Sequence, residues 1–356
     1  MIKEQKLQFI SNPEEILKKL TEGVKYIDEK ENIVIHFYGD KEKLKNKSDN
    51  ENLNENDDDI NDYLVGKYKD IYIGCLSINN PDSREKFGLN KYYKDYFYIG
   101  QWKENQKNGI GFLKMRKNIL YLGEFLNNQF NGFGMLYYKD TGYFYLGTFK
   151  NGQMDKGVYY NNKLGIFYNG SFKEGKKNDK LCSYFDLNNN HVFIGEVKDD
   201  IFVSGYLSLV DITELQKSVD IYTTLSCEKI IYLDKSDLNK IKYEYGYSFE
   251  NDFFDNIQNL FLNIYEKYFE LSDIHDNYVI FFENLENIVY NDSYTEYIDR
   301  YNPGENSFIE NTFMKNYQIY YQSFIQIQEK LNLESKADIF KGEPKINKDI
   351  KMEIKE

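Results

Sequence analysis

The chain has 356 residues, a length typical of two to three domains. Hydrophobic residues make up 41% of it and charged residues 29%, which excludes a wholly disordered chain because enough apolar side chains are present to form a core. The net charge of −13 at pH 7 argues against a general nucleic-acid-binding protein.

Cysteine, histidine and apolar patterns exclude several further classes. The three cysteines and three histidines are far apart in the sequence, so neither a disulfide framework nor a structural metal site is expected, and a reduced, cytoplasmic chain is predicted. The longest apolar runs, such as 278–282, are far shorter than the ~20 residues that a membrane-spanning helix needs. The first residues are polar, so no secretory signal is expected.

The N-terminal part predicts a small ordered segment followed by a linker. Asn12 and Pro13 are typical of a helix start, and residues 32–38 are rich in the β-branched and aromatic side chains that favour a strand. These features place a helix and strand within residues 1–39. Residues 40–62 predict an acidic, disordered linker, because seven acids and no base lie between positions 49 and 62.

Residues 98–206 contain a repeat of 23 to 25 residues. Each copy begins with an aromatic residue, followed two positions later by glycine and four positions later by a large apolar residue. The five starting aromatics are Tyr98, Tyr121, Tyr145, Tyr168 and Phe193. Fifteen of the 23 glycines lie in this stretch, so a regular repeat accounts for most of the glycine in the chain.

The spacing within each copy predicts a β-hairpin. Residues two apart lie on the same face of a strand, so the aromatic, the glycine and the apolar residue share one face. A glycine between two large residues leaves a slot in which a neighbouring ring can lie against the backbone. Each strand then reaches a two-residue turn whose second residue is Asn, Gly or Asp, the types that tolerate the positive φ of a tight hairpin.

This pattern resembles the MORN repeat, whose consensus runs Tyr-x-Gly-x-Trp/Phe-x-x-Gly-x-x-x-Gly-x-Gly. Residues 98–111 and 121–134 match it closely, residues 145–157 and 168–180 match in their first halves, and residues 193–205 are degenerate. A degenerate earlier copy with an insertion is expected in residues 63–97, starting near Leu64. The resemblance is specific as to the type of repeat but not as to function. MORN repeats occur in ciliary radial-spoke proteins, protist cytoskeletal scaffolds, junctional membrane proteins, lipid kinases and a lysine methyltransferase.

Residues 208–335 predict a mainly helical module. Apolar residues at helical spacing indicate one helix near 251–271, a second marked by Tyr278 and Val289, and a last helix over about 307–332. Residues 336–356 form a charged tail. The predicted fold class is therefore α+β: an elongated antiparallel sheet of stacked MORN hairpins over 98–207, followed by an α-helical C-terminal module.

Several short patterns resemble catalytic or ligand-binding motifs, but each lacks a required residue. The Gly-x-Gly pair at Gly109 and Gly111 lacks the third glycine of a dinucleotide loop and falls where a return strand begins. Asp186 opens a stretch like a calcium-binding loop, but His191 replaces the required glycine. Cys182 and His191 have no evident third group of a catalytic triad. We therefore expect no catalytic residues, no cofactor and no metal, and a protein that is not an enzyme.

Two surfaces are candidates for partner binding. Basic residues near two hairpin turns predict a patch for anionic phospholipid or an acidic protein: Lys114, Arg116, Lys117, Lys173, Lys176, Lys177 and Lys180. The last helix carries an aromatic face that either packs on the preceding helices or binds a partner protein: Phe313, Tyr317, Tyr320 and Phe324. One sheet face is expected to form the repeat core, with Tyr138, Tyr143 and Tyr160 exposed on the other.

The predicted function is a non-enzymatic scaffold that mediates protein–protein interaction in a cytoskeletal or ciliary assembly. The alternative is a peripheral membrane adaptor that binds anionic phospholipid through the basic turns. Both place the protein in the cytoplasm, the second at a membrane surface, and neither involves nucleic acid.

Overall fold

The computed structural model describes residues 26–28, 33–39, 68–77, 79–80, 83–93, 96–186, 188, 191–208, 230–233, 247–248, 251–291, 308–331 and 345–346. The predicted helix after Asn12, the acidic linker 40–62 and Leu64 lie outside these residues. So does nearly all of the predicted tail 336–356, where residues 345–346 pair as a short strand with residues 247–248.

The fold is a long antiparallel sheet followed by two helices, which confirms the predicted fold class. Sixteen strands of the described chain belong to the sheet. They are β1 (Tyr26–Asp28), β2 (Ile33–Gly39), β3 (Tyr68–Leu76), β4 (Arg84–Tyr93), β5 (Tyr96–Lys103), β6 (Gln106–Met115), β7 (Ile119–Leu126), β8 (Gln129–Tyr138), β9 (Tyr143–Lys150), β10 (Gln153–Asn161), β11 (Ile166–Lys173), β12 (Lys176–Lys177), β13 (Asp179–Asp186), β14 (His191–Lys198), β15 (Ile201–Ser208) and β16 (Ile230–Leu233). The helices are α1 (Asn251–Asn291) and α2 (Phe308–Lys330).

The chain divides into two compact units. The first contains the residues up to Gly134 together with Tyr278–Tyr320, and the second contains Met135–Asn277 together with the residues from Tyr321 onward. Each unit therefore combines sheet strands with a part of each helix.

The five predicted hairpin turns are present with the expected backbone geometry. They lie at residues 104–105, 127–128, 151–152, 174–175 and 199–200. Both residues of every turn have positive φ, between 50° and 80°. This geometry matches the twist of the flanking strands, which is why Asn, Asp and Gly recur at these positions.

An earlier copy of the repeat precedes Tyr98, and the described strands place its tyrosine at Tyr72, whereas the start predicted near Leu64 lies outside the described residues. Gly74 and Gly88 pair across β3 and β4, and Gly88 pairs in turn with Gly100 of the next copy. Three inserted residues lengthen the loop of this copy, because Gly88 lies sixteen positions after Tyr72 whereas Gly111 lies thirteen after Tyr98.

The helical part differs from the prediction in one respect. The two helices expected near 251–271 and 278–289 are a single 41-residue helix, α1. No glycine or proline occurs between residues 251 and 291, so nothing in the backbone interrupts the helical hydrogen bonds. The last helix, α2, spans Phe308–Lys330 and closely matches the predicted 307–332.

Candidate interaction surface

Each repeat tyrosine fills a slot above a row of glycines. In the first unit the hydroxyl of Tyr98 donates to the carbonyl oxygen of Gln101 at 2.7 Å, and Tyr121 donates to that of Glu124 at 2.9 Å. In the second unit Tyr145 and Tyr168 make the same bond to the carbonyl three residues later, at 2.9 and 2.8 Å. The glycines are required because a Cβ at Gly111 would lie 2.5 Å from the Tyr98 hydroxyl. We call this side of the sheet the tyrosine face.

Cys182 explains why the fourth copy lacks the usual glycine in its return strand. It occupies the glycine row, since its Cα pairs with Gly195 in the β13–β14 register. The side chain is fully buried, and burial raises the pKa of its thiol well above the ordinary range. His191 pairs with Asp186, which lies four residues after Cys182 in β13, so the structure does not bring Cys182 and His191 together. Asp186 itself ends β13 at a strand connection.

A recurring position that sequence reasoning missed covers the repeat's aromatic ring in five of the described copies. It lies nine residues after the repeat aromatic, or twelve in the copy with the insertion, so the constant offset was a usable signal. Cations occupy it in three copies, with the charged groups 5.2 to 5.8 Å from the ring of the same copy's tyrosine: Arg84 over Tyr72, Lys107 over Tyr98 and Lys177 over Tyr168. In other copies aromatic rings lie there, Phe130 on Tyr121 and Phe202 on Phe193.

The second unit carries a half-buried aromatic surface on its tyrosine face. The rings of Tyr138 and Tyr143 lie 5.1 Å apart, and those of Tyr143 and Tyr159 lie 4.5 Å apart. Burial raises the pKa of the Tyr143 hydroxyl far above its ordinary value, so that it stays protonated and can donate a hydrogen bond. Tyr184 continues this surface and contacts Phe202 at 5.0 Å.

The opposite side of the sheet, which we call the helix face, is covered by α1 and α2 in the first unit. Phe282 of α1 stacks on Phe112 at 5.3 Å, and Phe313 of α2 packs on Phe87 at 6.0 Å. The ammonium group of Lys91 donates to the carbonyl oxygen of Val289 at 2.7 Å. Burial lowers the pKa of Lys91 to about 8.

In the second unit the helix face encloses a histidine. His275 of α1 is buried, and three rings surround it: Tyr137 at 5.3 Å, Tyr160 at 5.6 Å and Phe144 at 5.7 Å. Its Nδ1 lies 3.1 Å from a carboxylate oxygen of Asp276. The amide of Gln328 in α2 donates to the side chain of Asn169 at 2.8 Å.

The expected division of tyrosines between the two faces is wrong. Tyr160, expected to be exposed, is 2% exposed because it packs against His275 on the helix face. Tyr138 and Tyr143 are half-buried. Strand alternation places Tyr143 on the same face as Tyr145, which is the tyrosine face. The repeat pattern does not indicate which sheet face the helices cover. Because they cover the face expected to be exposed, the partly exposed tyrosines lie on the tyrosine face instead.

The predicted basic patch is split by the structure. Arg116 and Lys117 are exposed at the connection between β6 and β7, and Lys173, Lys176 and Lys180 are exposed near the turn at 174–175. Lys114 does not belong to an exposed patch, because it is 7% exposed on the helix face and pairs with Glu286 of α1 at 3.4 Å. Lys177 is also engaged, since it lies over tyrosine rings and 3.8 Å from Asp200.

The predicted aromatic face of α2 is directed into the protein. In the first unit Phe313 is 1% exposed, Tyr317 contacts the ring of Phe133 at 5.6 Å and hydrogen-bonds to Glu124, and Tyr320 stacks on Tyr278 at 3.6 Å. In the second unit Phe324 is 7% exposed. These positions correspond to the internal one of the two alternatives raised by the sequence.

The described residues carry no other recognisable chemical site. They contain no group of three or more His, Cys, Asp or Glu side chains that could hold a metal ion. Neither described helix is long and apolar enough to cross a membrane.

The fold and the tyrosine-over-glycine slots define a class of protein, the stacked β-hairpin repeat proteins, in which each copy buries its aromatic residue against the next. The chain carries MORN repeats: the family model described as MORN repeat matches residues 98–116 and 121–143. Comparison with the curated proteins gives no match. MORN repeats are generally protein- or membrane-interaction motifs, and they are a non-catalytic type of repeat.

Proposed function

We propose that this protein is a non-enzymatic scaffold that mediates protein–protein interaction in a cytoskeletal or ciliary assembly in the cytoplasm. The observation that carries the proposal is the difference between the two sheet faces of the second unit. Helix α1 packs on one face through His275 and Tyr160, while half-buried tyrosines line the other. Tyrosine is favoured at protein interfaces because it buries a large area with little loss of rotamer freedom.

The tyrosine face of the second unit is the proposed partner-binding surface. Tyr143 lies between Tyr138 and Tyr159, so a partner side chain placed there would contact several rings at once. The pKa of Tyr184 is also raised by burial, so its hydroxyl remains a donor over the physiological range. Neutral hydroxyls on an aromatic surface suit a protein partner with both apolar and polar groups.

Co-purification of the full chain from its native cells tests this proposal. The variant Tyr138→Ser/Tyr143→Ser should lose cytoskeletal or ciliary partners while remaining folded. Leu164→Ser/Tyr321→Ser is the matched control, because these two side chains are exposed elsewhere in the second unit. Retention of every partner by the folded tyrosine variant would contradict the proposal.

The exposed basic residues favour a second candidate function, a peripheral membrane adaptor that binds anionic phospholipid. Lys173, Lys176 and Lys180 lie near one hairpin turn, and bases close to a charged membrane contribute about 1 kcal/mol each. Glu174 and Asp179 reduce the local charge, so the scaffold is the better supported of the two.

A further inference from the structure

Lys107 is a buried cation with no acidic partner among the described residues. It is 9% exposed, and its ammonium nitrogen lies 5.3 Å from the ring centre of Tyr92 and 5.6 Å from that of Tyr98. Arg84 lies close enough for its positive charge to disfavour protonation of Lys107. A buried charge is normally paired, because an uncompensated one costs several kcal/mol of desolvation.

The same position in the second unit is the one copy among the described cations in which an acid stands at the next turn, whereas Arg84 has Asn105 there. Lys177 occupies the equivalent place in its repeat, and its ammonium lies 3.8 Å from a carboxylate oxygen of Asp200. Asp200 is the second residue of the next hairpin turn, and its side chain also accepts a bond from the backbone NH of Lys177 at 2.9 Å. The acid thus serves both the backbone and the cation.

Asn128 stands where the acid would be for Lys107. Its side-chain oxygen accepts from the backbone NH of Lys107 at 2.8 Å, the bond that Asp200 accepts from Lys177. The backbone role is therefore kept while the negative charge is absent. Asn128 is exposed, and Arg84 and Tyr92 are partly exposed, so an outside group can approach the cation here.

A second observation at this place is an unpaired buried amide. Asn90 is fully buried, and neither its side-chain nitrogen nor its oxygen has a hydrogen-bond partner in the part of the chain that the structure describes. It pairs with Tyr98 in the β4–β5 register and lies two residues before Tyr92 on the same face, beside the two rings that Lys107 contacts. On its other side Tyr98 pairs with an apolar residue, Leu113. A polar residue left unpaired at such a position indicates a missing partner.

From these observations we propose that Lys107, Asn90 and the adjoining tyrosine rings form a site for one carboxylate, supplied by an acidic side chain of a protein partner. The ammonium compensates the negative charge, and once the side chains that bury Asn90 move aside, its amide donates the additional hydrogen bond that a carboxylate accepts. A carboxylate is favoured over a more highly charged group because a single aspartate completes the equivalent site at Lys177. The inference rests on the proposed scaffold function, since it names the chemistry of one partner contact on the first unit's tyrosine face.

Carboxylate binding at this site is coupled to protonation of Lys107. Burial and the neighbouring Arg84 lower the pKa of Lys107 to about 8. A bound negative charge favours the protonated form and raises that pKa again. Affinity for a carboxylate should consequently fall as the pH rises above 8. Arg84, Tyr92 and Tyr98 are the titratable groups that face Lys107, and burial raises the pKa of Tyr98 well above its ordinary value.

Binding of a capped tetraglutamate peptide to the full chain tests the site, with capped tetraglutamine as the neutral control. Titration at low salt and neutral pH, followed by NMR of labelled lysine side chains, should show the Lys107 signal shift with tetraglutamate only. Lys107→Met should weaken binding at least tenfold, and the fold should tolerate it because Met154 occupies this position in another repeat. Lys177→Met is the matched control and should bind as the wild type does.

Two further variants make the outcome specific. Asn128→Asp supplies the missing acid within the chain, so it should abolish peptide binding and raise the pKa of Lys107 without any peptide. Asn90→Leu, which copies Leu113, should remain folded and bind the peptide severalfold more weakly. Equal binding by wild type and Lys107→Met, or a response to inorganic phosphate or to anionic vesicles with none to tetraglutamate, would overturn the proposal. Loss of native partners in tyrosine-face variants of the second unit does not affect this assay, so the two proposals can fail separately.

Discussion

The ring of Phe282 in α1 stacks on the ring of Phe112 in β6, with centroids 5.3 Å apart and planes inclined by 23°. Phe112 and Leu113 are adjacent in β6, so their side chains lie on opposite faces of the sheet. Leu113 pairs with Tyr98 and Tyr121 on the tyrosine face. The helix therefore packs on the side of the sheet opposite to the repeat tyrosines. Helix packing thus stabilises the fold on one face of the sheet, and the proposed partner-binding surface lies on the other.

We expect even a small side chain in the glycine row to lower the free energy of unfolding. A Cβ at Gly123 would lie 2.5 Å from the Gly134 Cα and from the Tyr121 hydroxyl. Gly123→Ala should lower the free energy of unfolding by about 1–3 kcal/mol through overpacking. Chemical denaturation measures this change. Gly152→Asn is the matched control and should be nearly neutral, because Asn105 and Asn128 already adopt the same positive φ in equivalent turns.

The packing of α2 predicts a stability defect when its aromatic face is shortened. Phe313 is 1% exposed and contacts Phe87, so Phe313→Ala should cost about 3–5 kcal/mol and reduce the yield of folded protein. Ile319→Ala, on an exposed position of the same helix, should change stability by less than about 0.5 kcal/mol. A fully stable Phe313→Ala protein that has lost partners would instead show that this face binds other molecules.

The buried lysines predict a stability that rises with pH. Burial lowers the pKa of Lys91 and Lys107 to about 8, from 10.5 for an ordinary lysine. Between about pH 8 and 9 the unfolded chain therefore binds more protons than the folded chain, and stability increases with pH. Above about pH 9 the buried thiol of Cys182 and buried tyrosines such as Tyr98, whose pKa values are raised, reverse the trend. Denaturation midpoints of Lys107→Met should rise less over this pH range than those of the wild type, and an unchanged slope would refute the assignment.

The exposed lysines near the turn at 174–175 allow the membrane-adaptor hypothesis to be tested by vesicle binding. If that alternative holds, the full chain binds vesicles containing anionic phospholipid at low ionic strength and is released by salt. Lys173→Glu/Lys176→Glu/Lys180→Glu should then abolish binding, whereas Lys177→Met should have little effect because Lys177 is already paired with Asp200. Vesicle sedimentation measures both. Absence of binding by the wild type at low salt rejects the adaptor.

The repeat itself could be predicted from sequence because its signals are local. Tyr98, Gly100 and Trp102 are two residues apart, and the turn residues that follow them need positive φ, so a hairpin is specified within one copy. Tyr72, Gly74 and Leu76 have the same two-residue spacing, so the sequence also contains the start of the earlier copy; the three inserted residues displace only its return-strand glycine, Gly88. The position that carries Lys107 and Lys177 has a constant offset but a variable residue type, so composition alone does not reveal it.

Long-range contacts could not be predicted. The pairing of Lys114 with Glu286 joins residues far apart in sequence, and it removes from the surface a lysine that the charge pattern places there. The exposure expected for Tyr160 fails for a related reason, since nothing near it in the sequence indicates that His275 covers it. Periodicity indicates which side of a helix is apolar, but not which sheet face receives it.

Footprinting of the full chain tests most directly whether the tyrosine face is the partner-binding surface. Hydroxyl-radical labelling would be compared for the chain alone and for the chain co-purified with its native partners. If the tyrosine face binds them, partners protect Tyr138, Tyr143 and Tyr184, while the exposed helix residues Ile280 and Ile319 react equally in both samples. Protection of Ile280 and Ile319 with no change at the three tyrosines would contradict that role.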